Sequence, residues 1–279
     1  MVDFPGGFSN EPLPVGTRLA CCIEYNGSRF SGWQSQPHLA VDTVQETVEA
    51  ALASVATKPV KVSCAGRTDS GVHSVGQIIH FDDPVGRSCK NWVYGANANL
   101  PVDIRVVWAK VVADKFHARF SALSRRYRYI IANRPIRPAL MVGQVTWTRQ
   151  PLDAEIMHTA AQALLGEQDF TAFRAASCQS PTAMRNVSEV TVQRRGQLVI
   201  IDIEANAFLH HMVRNIAGSL ISVGNGRHPI EWIGELLAGR DRSVAADTAA
   251  PHGLYLAGVR YPEKFELPDV SMGPIFAPD

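Results

Sequence analysis

Apolar residues along this chain recur in two rhythms, one of strand type and one of helix type, and their order outlines the fold. TRLACCIEY (Thr17–Tyr25) is an apolar run of strand length, and NGSRFSGWQSQP after it is a Gly-rich loop. Val41, Val44, Val48, Leu52 and Val55 then follow at helical spacing, with Asp42 or Thr43 placed to cap the helix. VKVSCAG and GQIIHF read as two strands, the first apolar enough to be central. A short helix is expected around Lys90–Ala98, and DIRVVWAKVV predicts a strand ending at Val112.

The same order then returns. RRYRYIIAN (Arg125–Asn133) predicts a strand, and LDAEIMHTAAQALLG a helix closed by Gly166. NVSEVTVQRRGQLVIIDIEAN reads as two strands around an Arg-Gly turn. HHMVRNIAGSLISVG predicts a helix closed by Gly224, PIEWIGELLAG an inserted helix, and GLYLAGVRY a last strand. Each half is therefore β-α-β-β-α-β, the ferredoxin-like order. Two such halves in tandem predict an α+β protein with antiparallel sheets, helices on one face and a basic cleft between the halves, a favoured place for a ligand. The expected division is residues 15–115 and 116–265, with irregular tails at 1–14 and 266–279. The halves share element order but no sequence identity.

Composition adds constraints. The 279 residues are 46% hydrophobic and 19% charged, a globular balance with room for a sizeable core. A formal net charge of +1 decides nothing about a nucleic-acid partner, so charge distribution must. Cys21, Cys22, Cys64, Cys89 and Cys178 form an odd set without CxxC spacing, as expected of free thiols in a reducing compartment. Asp3 and nearby prolines interrupt any signal-peptide pattern, and no apolar run approaches the ~20 residues of a membrane helix. The expectation is a soluble, cytoplasmic protein that meets no membrane.

Charge is concentrated in Phe116–Pro138, which carries Arg119, Arg125, Arg126, Arg128, Arg134 and Arg137 and no acid. Arginine forks suit phosphate, and interleaved aromatics can stack on bases. Strand alternation puts Arg125, Tyr127, Tyr129 and Ile131 on one face and Arg126 and Arg128 on the other. One face can then line a cleft while the other meets solvent or phosphate. Arginines protecting an exposed edge strand are the alternative. A second positive stretch, Gln193-Arg194-Arg195-Gly196, is less telling and reads as a hairpin turn.

The usual catalytic signatures are missing: there is no HExxH or Cys/His metal spacing, no P-loop, no dinucleotide fingerprint and no GxSxG elbow. No metal or cofactor is expected. Thr68-Asp69-Ser70-Gly71 is a good turn by itself, delivered by VKVSCAG. Arg214, however, sits on the apolar helix of AFLHHMVRNIAGSL, where a guanidinium needs a partner. Its neighbours at i−4 and i+4 are His210 and Gly218, neither an acid. Asp69 is a candidate partner; Glu231, Glu235 or a backbone carbonyl are others. An ionised carboxylate in a dry cleft would be a competent nucleophile.

CAGRTDSGVHSVGQIIHF, EYNGSRFSGWQSQ, FHARFSALSRRYRYII and NAFLHHMVRNIAGSL together resemble the blocks of the tRNA pseudouridine synthase A family, in order, from Thr17 to MGPIF near the C-terminus. The resemblance implies conversion of uridine to pseudouridine at tRNA positions 38, 39 and 40 in the anticodon stem-loop, by a homodimer without cofactor or metal. It implies Asp69 as nucleophile, Arg67 filling the space of the flipped base, Tyr127 stacking on the uracil and serving proton removal, and Arg214 as ion-pair partner of Asp69. It further implies tRNA contacts for Phe116, His117, Ala118, Arg119, Phe120 and Arg126, and for Ser177, Cys178, Gln179, Ser180 and Pro181. Two other readings are a non-catalytic RNA-binding protein on ferredoxin-like sheets and a synthase acting at other RNA positions.

Overall fold

A computed structural model describes residues 8–268, 273, 274, 276 and 277; the remainder of the two expected tails lies outside the described residues. Ten strands and five α-helices are present among the described residues, and all strand pairings but one of those assigned below are antiparallel. The protein is of mixed α+β class. The described residues up to Leu123 and from Leu256 onward form one compact unit, and Ser124–Tyr255 form the other. This differs from the sequential division expected at 115/116, because the last strand, Leu254–Arg260, lies beside a strand of the first unit.

In the first unit, β1 (Arg18–Tyr25) lies between β4 (Ile104–Val111) and β3 (His73–Asp82). Over Leu19–Ile23 the strand is paired on both edges and buried on both faces, which is why the apolar run is unbroken there; Glu24, near its end, is exposed. Leu19, Cys21, Ile23 and Tyr25 pack with α1 (Val44–Ala56) and α2 (Cys89–Asn99), while Ala20 and Cys22 pack with Trp108, Phe116, Ala118 and Phe265. Thr43 caps α1: its Oγ1 accepts from the Glu46 amide at 3.4 Å and donates to Glu46 Oε2 at 2.7 Å, a reciprocal arrangement. Ser88 caps α2 through the Asn91 amide.

One expectation fails here. VKVSCAG yields only β2 (Ser63–Cys64), two residues paired with β3 alone, so it is not a central strand. The apolar residues that suggested one are buried for another reason. Val60 and Val62 pack into the helix-covered core rather than joining a ladder.

In the second unit the strand order is β5 (Ser124–Asn133), β9 (Leu198–Ala205), β8 (Met184–Arg195) and β7 (Gly166–Asp169). β6 (Thr146–Thr148) pairs with β5 in parallel. β6 and β7 are too short and polar to show a strand rhythm, and the sequence reading missed both. Gly196, at φ +58°, turns β8 into β9. α3 (Ala154–Ala161), capped by Asp153, packs against β8 and α4 (Met212–Gly224), and α5 (Trp232–Gly239) is the inserted helix before β10 (Leu254–Arg260).

Candidate active site

The Asp69 loop gets its support from the Gly-rich segment after β1 rather than from β2. Gly32 lies against the loop's backbone at Thr68–Ser70. At φ +91°, a Cβ there would lie 2.8 Å from the Thr68 carbonyl oxygen and 3.2 Å from the Asp69 carbonyl carbon and Ser70 amide nitrogen. Only glycine fits both the conformation and the contact. The Trp33 amide donates to the Thr68 carbonyl at 3.0 Å, and the Tyr25 and Thr68 hydroxyls share a hydrogen bond at 2.8 Å. The Phe30 carbonyl accepts from the Gly71 amide at 3.3 Å and from Ser70 Oγ at 3.2 Å.

The turn itself closes as the sequence reading expected. The Val72 amide donates to the Asp69 carbonyl at 3.2 Å, and Gly71 sits at φ +76°. Ahead of the turn, the fully buried Gln77 clamps Gly66 with both ends of its amide: Nε2 donates to the Gly66 carbonyl at 2.6 Å, and Oε1 accepts from its amide at 3.3 Å. Behind it, the Gly27 amide donates to His73 Nδ1 at 3.0 Å, and the Val72 carbonyl lies where a Gly27 Cβ would be. The result is an exposed Arg67, a buried Thr68 and a half-buried Asp69 on fixed backbone. Tyr25, Gly27, Gly32, Trp33 and Gln77 are therefore the positioning residues the sequence reading missed. Two glycines between aromatics in EYNGSRFSGW were the available signal.

Phe116–Phe120 divides by exposure. Phe116 and Ala118 are fully buried in the first unit's core, which removes their side chains from any RNA contact. Arg119 is exposed, Phe120 is 76% exposed, and the Arg119 guanidinium carbon lies 5.7 Å from the Phe120 ring centre. His117 Nδ1 accepts from the Arg119 and Phe120 amides at 3.1 and 3.3 Å, and its ring lies 4.4 Å from that of Phe120. Arg119 and Arg67 both act electrostatically on Cys64, although burial dominates there and pushes the thiol up to about 11. All five cysteines are free thiols, as expected.

In the second unit, Tyr127 is buried on β5 with its ring edge-to-face against Phe208, centroids 5.0 Å apart. Phe208 is a further residue the sequence reading did not single out. The opposite face of β5 contradicts an expectation. Arg128 is 1% exposed and forms a two-pronged ion pair with Asp202 of β9, both bonds 2.9 Å. Arg126 is mostly buried, 3.7 Å from Asp202 and 3.6 Å from Glu189 of β8. This face does not meet solvent or phosphate. Its acids come from neighbouring strands, so the acid-free stretch of sequence was misleading.

Arg214 is half-buried on the first turn of α4. Its Nε donates to the Ala249 carbonyl at 2.8 Å, and the Ala249 amide donates to the Arg214 carbonyl at 3.2 Å. The segment Asp247–Ala249 lies this close because position 218 is glycine; a Cβ there would meet the Asp247 carbonyl oxygen. The hydroxyl of the buried Tyr129 donates to the next carbonyl, Ala250, at 2.8 Å and shares a bond with Thr146 Oγ1 at 2.6 Å. Arg214 thus has its Nε edge fixed by backbone.

The Ser177–Pro181 loop is pinned from beneath. Arg174 donates to the Cys178 and Ser180 carbonyls, both at 2.8 Å, and Arg185 donates to Ser180 Oγ at 2.7 Å. Ser177 Oγ is 3.0 Å from His210 Nδ1, and the His210 amide donates to Cys178 Sγ at 3.4 Å. Burial raises the Cys178 thiol, but amide donors from Ser180 and His210, together with Arg174, outweigh it and leave the thiol below its ordinary value. Ser177, Gln179 and Pro181 are exposed. The first unit therefore carries Arg67, Asp69 and Phe116–Phe120, and the second carries Arg126, Tyr127, Ser177–Pro181 and Arg214.

The profile of the family described as tRNA pseudouridine synthase matches residues 21–121 and 160–262. The chain is 58% identical over 262 residues to tRNA pseudouridine synthase A of Idiomarina loihiensis, covering 94% of this chain and 100% of that one. It is 55% identical over 271 residues to tRNA pseudouridine synthase A of Escherichia fergusonii, covering 97% and 100%. With the protein of that name from Pasteurella multocida it shares 56% identity over 259 residues, covering 93% and 97%. On matches of this extent, the chain belongs to the tRNA pseudouridine synthase family.

Proposed function

We propose that this protein isomerises uridine to pseudouridine at positions 38, 39 and 40 of the tRNA anticodon stem-loop, without metal or cofactor, as a homodimer in the cytoplasm. The observation that carries the reading is the build of the Asp69 loop: glycine contact, amide clamp and hydroxyl pair all brace the backbone that bears Asp69, next to the exposed Arg67. A turn needed only for chain reversal does not require such bracing. Family membership supplies the reaction class. That no described helix is long and apolar enough to cross a membrane accords with the location.

In this reading two ferredoxin-like halves enclose a basic cleft. The target nucleotide leaves its stack, at a cost of a few kcal/mol that phosphate contacts elsewhere offset. Arg67 occupies the vacated space, and Arg119, Phe120 and the Ser177–Pro181 loop hold the strand. Tyr127, kept edge-on by Phe208, stacks on the uracil. Asp69, held ionised by Arg214, attacks either the uracil ring or the ribose carbon. The N1–C1′ bond breaks, the base turns, C5 bonds to C1′, and the bond that Asp69 formed to the substrate breaks, which returns the free carboxylate. The C5 proton leaves to a base, for which Tyr127 is the candidate, and N1 gains a proton.

Three tRNA transcripts test the position assignment, each retaining a single tritiated uridine at 38, 39 or 40 and carrying label at C5. Bond formation at C5 releases the label, so all three are expected to release it, and a transcript labelled only outside the anticodon arm is expected to retain it. Release from the last transcript alone would favour the reading of a synthase acting elsewhere.

A further inference from the structure

At the far end of β5 from Tyr127, the second unit carries an open pocket of about 350 Å³ lined by Trp147, Thr148, Arg149, Gln150 and Arg227. Trp147 pairs with Ala132 across the parallel β5–β6 ladder. Ala132 lies five residue steps along the strand from Tyr127, about 17 Å at strand rise. The indole is fixed rather than mobile: its Nε1 donates to the Arg134 carbonyl at 2.9 Å while the side chain remains 36% exposed. An aromatic side chain held this way keeps a face open at little entropic cost.

The cations around it are the second observation. Arg18, Arg29, Arg126, Arg128 and Arg240 each have a carboxylate within ion-pair distance, while Arg105, Arg174, Arg185 and Arg194 are held by carbonyl, hydroxyl or amide oxygens. Arg134, Arg149 and Arg227 have no such carboxylate among the described residues; the Arg227 guanidinium reaches only Gln150 Oε1, at 3.4 Å. Of the acids nearest in sequence, Asp153 spends its carboxylate on the first amides of α3, and Glu231, four residues after Arg227, is exposed and forms no ion pair with it among the described residues. A solvated surface that merely avoided aggregation would mix signs. Here guanidiniums surround a braced indole, the combination that takes a base on the ring and a phosphate on the arginine forks.

We propose that the Trp147–Arg149–Arg227 pocket is a second RNA subsite, taking one unstacked nucleotide of the substrate strand away from the reacting base. The inference rests on the reading that the substrate is RNA. Its role is affinity and register, not chemistry. Stacking supplies a sequence-tolerant contact, and the guanidiniums add salt-sensitive phosphate contacts.

Binding of full-length tRNA is measured by filter retention across a salt series, with the full chain and with three variants: Trp147→Ala, Trp147→Phe and the exposed pair Arg149→Glu/Arg227→Glu. Trp147→Ala is expected to weaken binding about tenfold, and Trp147→Phe to retain most of it. The arginine pair is expected to weaken binding by at least as much and to make the slope of log Kd against log salt shallower by about one. Turnover at saturating tRNA is expected to stay within twofold of wild type. The charge-reversal pair acts on exposed side chains, so it keeps the test decisive if Trp147→Ala folds poorly.

Unchanged affinity and slope in the arginine pair would overturn the proposal, as would lost turnover with intact binding. Uridine monophosphate quenching Trp147 fluorescence without competition from tRNA would assign the pocket to free nucleotides instead, and would also overturn it. Absence of tritium release by wild type defeats the proposed reaction alone and leaves these binding results standing.

Discussion

At position 32, any side chain would put a carbon 2.8 Å from the Thr68 carbonyl oxygen and demand a left-handed backbone besides. Both effects push on the residue next to Asp69. Gly32→Ala is therefore expected to lower kcat on tRNA by at least tenfold, because displacements of about 1 Å at a reacting group cost about a hundredfold. Affinity for tRNA is expected to stay within about twofold, since Arg119, Phe120 and the Ser177–Pro181 loop are untouched. Steady-state kinetics beside a binding titration checks the split, and an unchanged kcat would show that the glycine is not needed to place Asp69. The turn that carries Asp69 was legible in the sequence, because Thr68-Asp69-Ser70-Gly71 has turn chemistry. Gly32 was visible only as part of a Gly-rich loop, since its importance lies in a contact with backbone thirty-six residues away. Ala249, whose carbonyl takes the Arg214 Nε, left no sequence signal, because any residue supplies a carbonyl.

Elements were legible wherever burial was one-sided or continuous. β1, β3, β4, β5, β8, β9, β10 and all five helices follow from their apolar rhythm, and the caps at Thr43 and Asp153 sit where capping chemistry places them. The failures were elements defined by pairing rather than by pattern. β6 and β7 are short and polar, and β2 contributes two residues where its apolar approach suggested a full strand. The cross-strand environment of β5 was equally hidden, because the partners of Arg126 and Arg128 lie on β8 and β9. The buried Arg128–Asp202 pair has a direct consequence. Asp202→Ala leaves a guanidinium uncompensated in the core and is expected to cost about 3–5 kcal/mol in urea unfolding. A paired apolar replacement, Arg128→Met with Asp202→Leu, is expected to recover most of that stability. A loss below about 1 kcal/mol for Asp202→Ala would contradict the role given to the pair.

Across the whole molecule, pH is expected to act on stability through His80. Burial, the neighbouring His117 and the Arg18 charge push its imidazole down to about 4. Its Nδ1 must stay unprotonated to accept the Ala118 amide at 3.1 Å, which fixes the segment that presents Arg119 and Phe120. A depressed folded value means that the unfolded chain binds the proton more readily. The stability is therefore complete above about pH 6.5 and lost progressively as pH falls towards 4, by about 3 kcal/mol. Urea midpoints measured from pH 7 to pH 4 should fall in wild type and fall less in His80→Gln. Parallel curves would place the acid sensitivity elsewhere.

In the proposed reaction, the braced turn makes Asp69 a nucleophile acting on uridine. Single-turnover tritium release from tRNA labelled at uridine C5 tests it most directly, with wild-type protein and Asp69→Asn compared at concentrations saturating for both. Wild type is expected to release the label, and Asp69→Asn to bind the tRNA and release none. Release by Asp69→Asn at the wild-type rate would contradict the account.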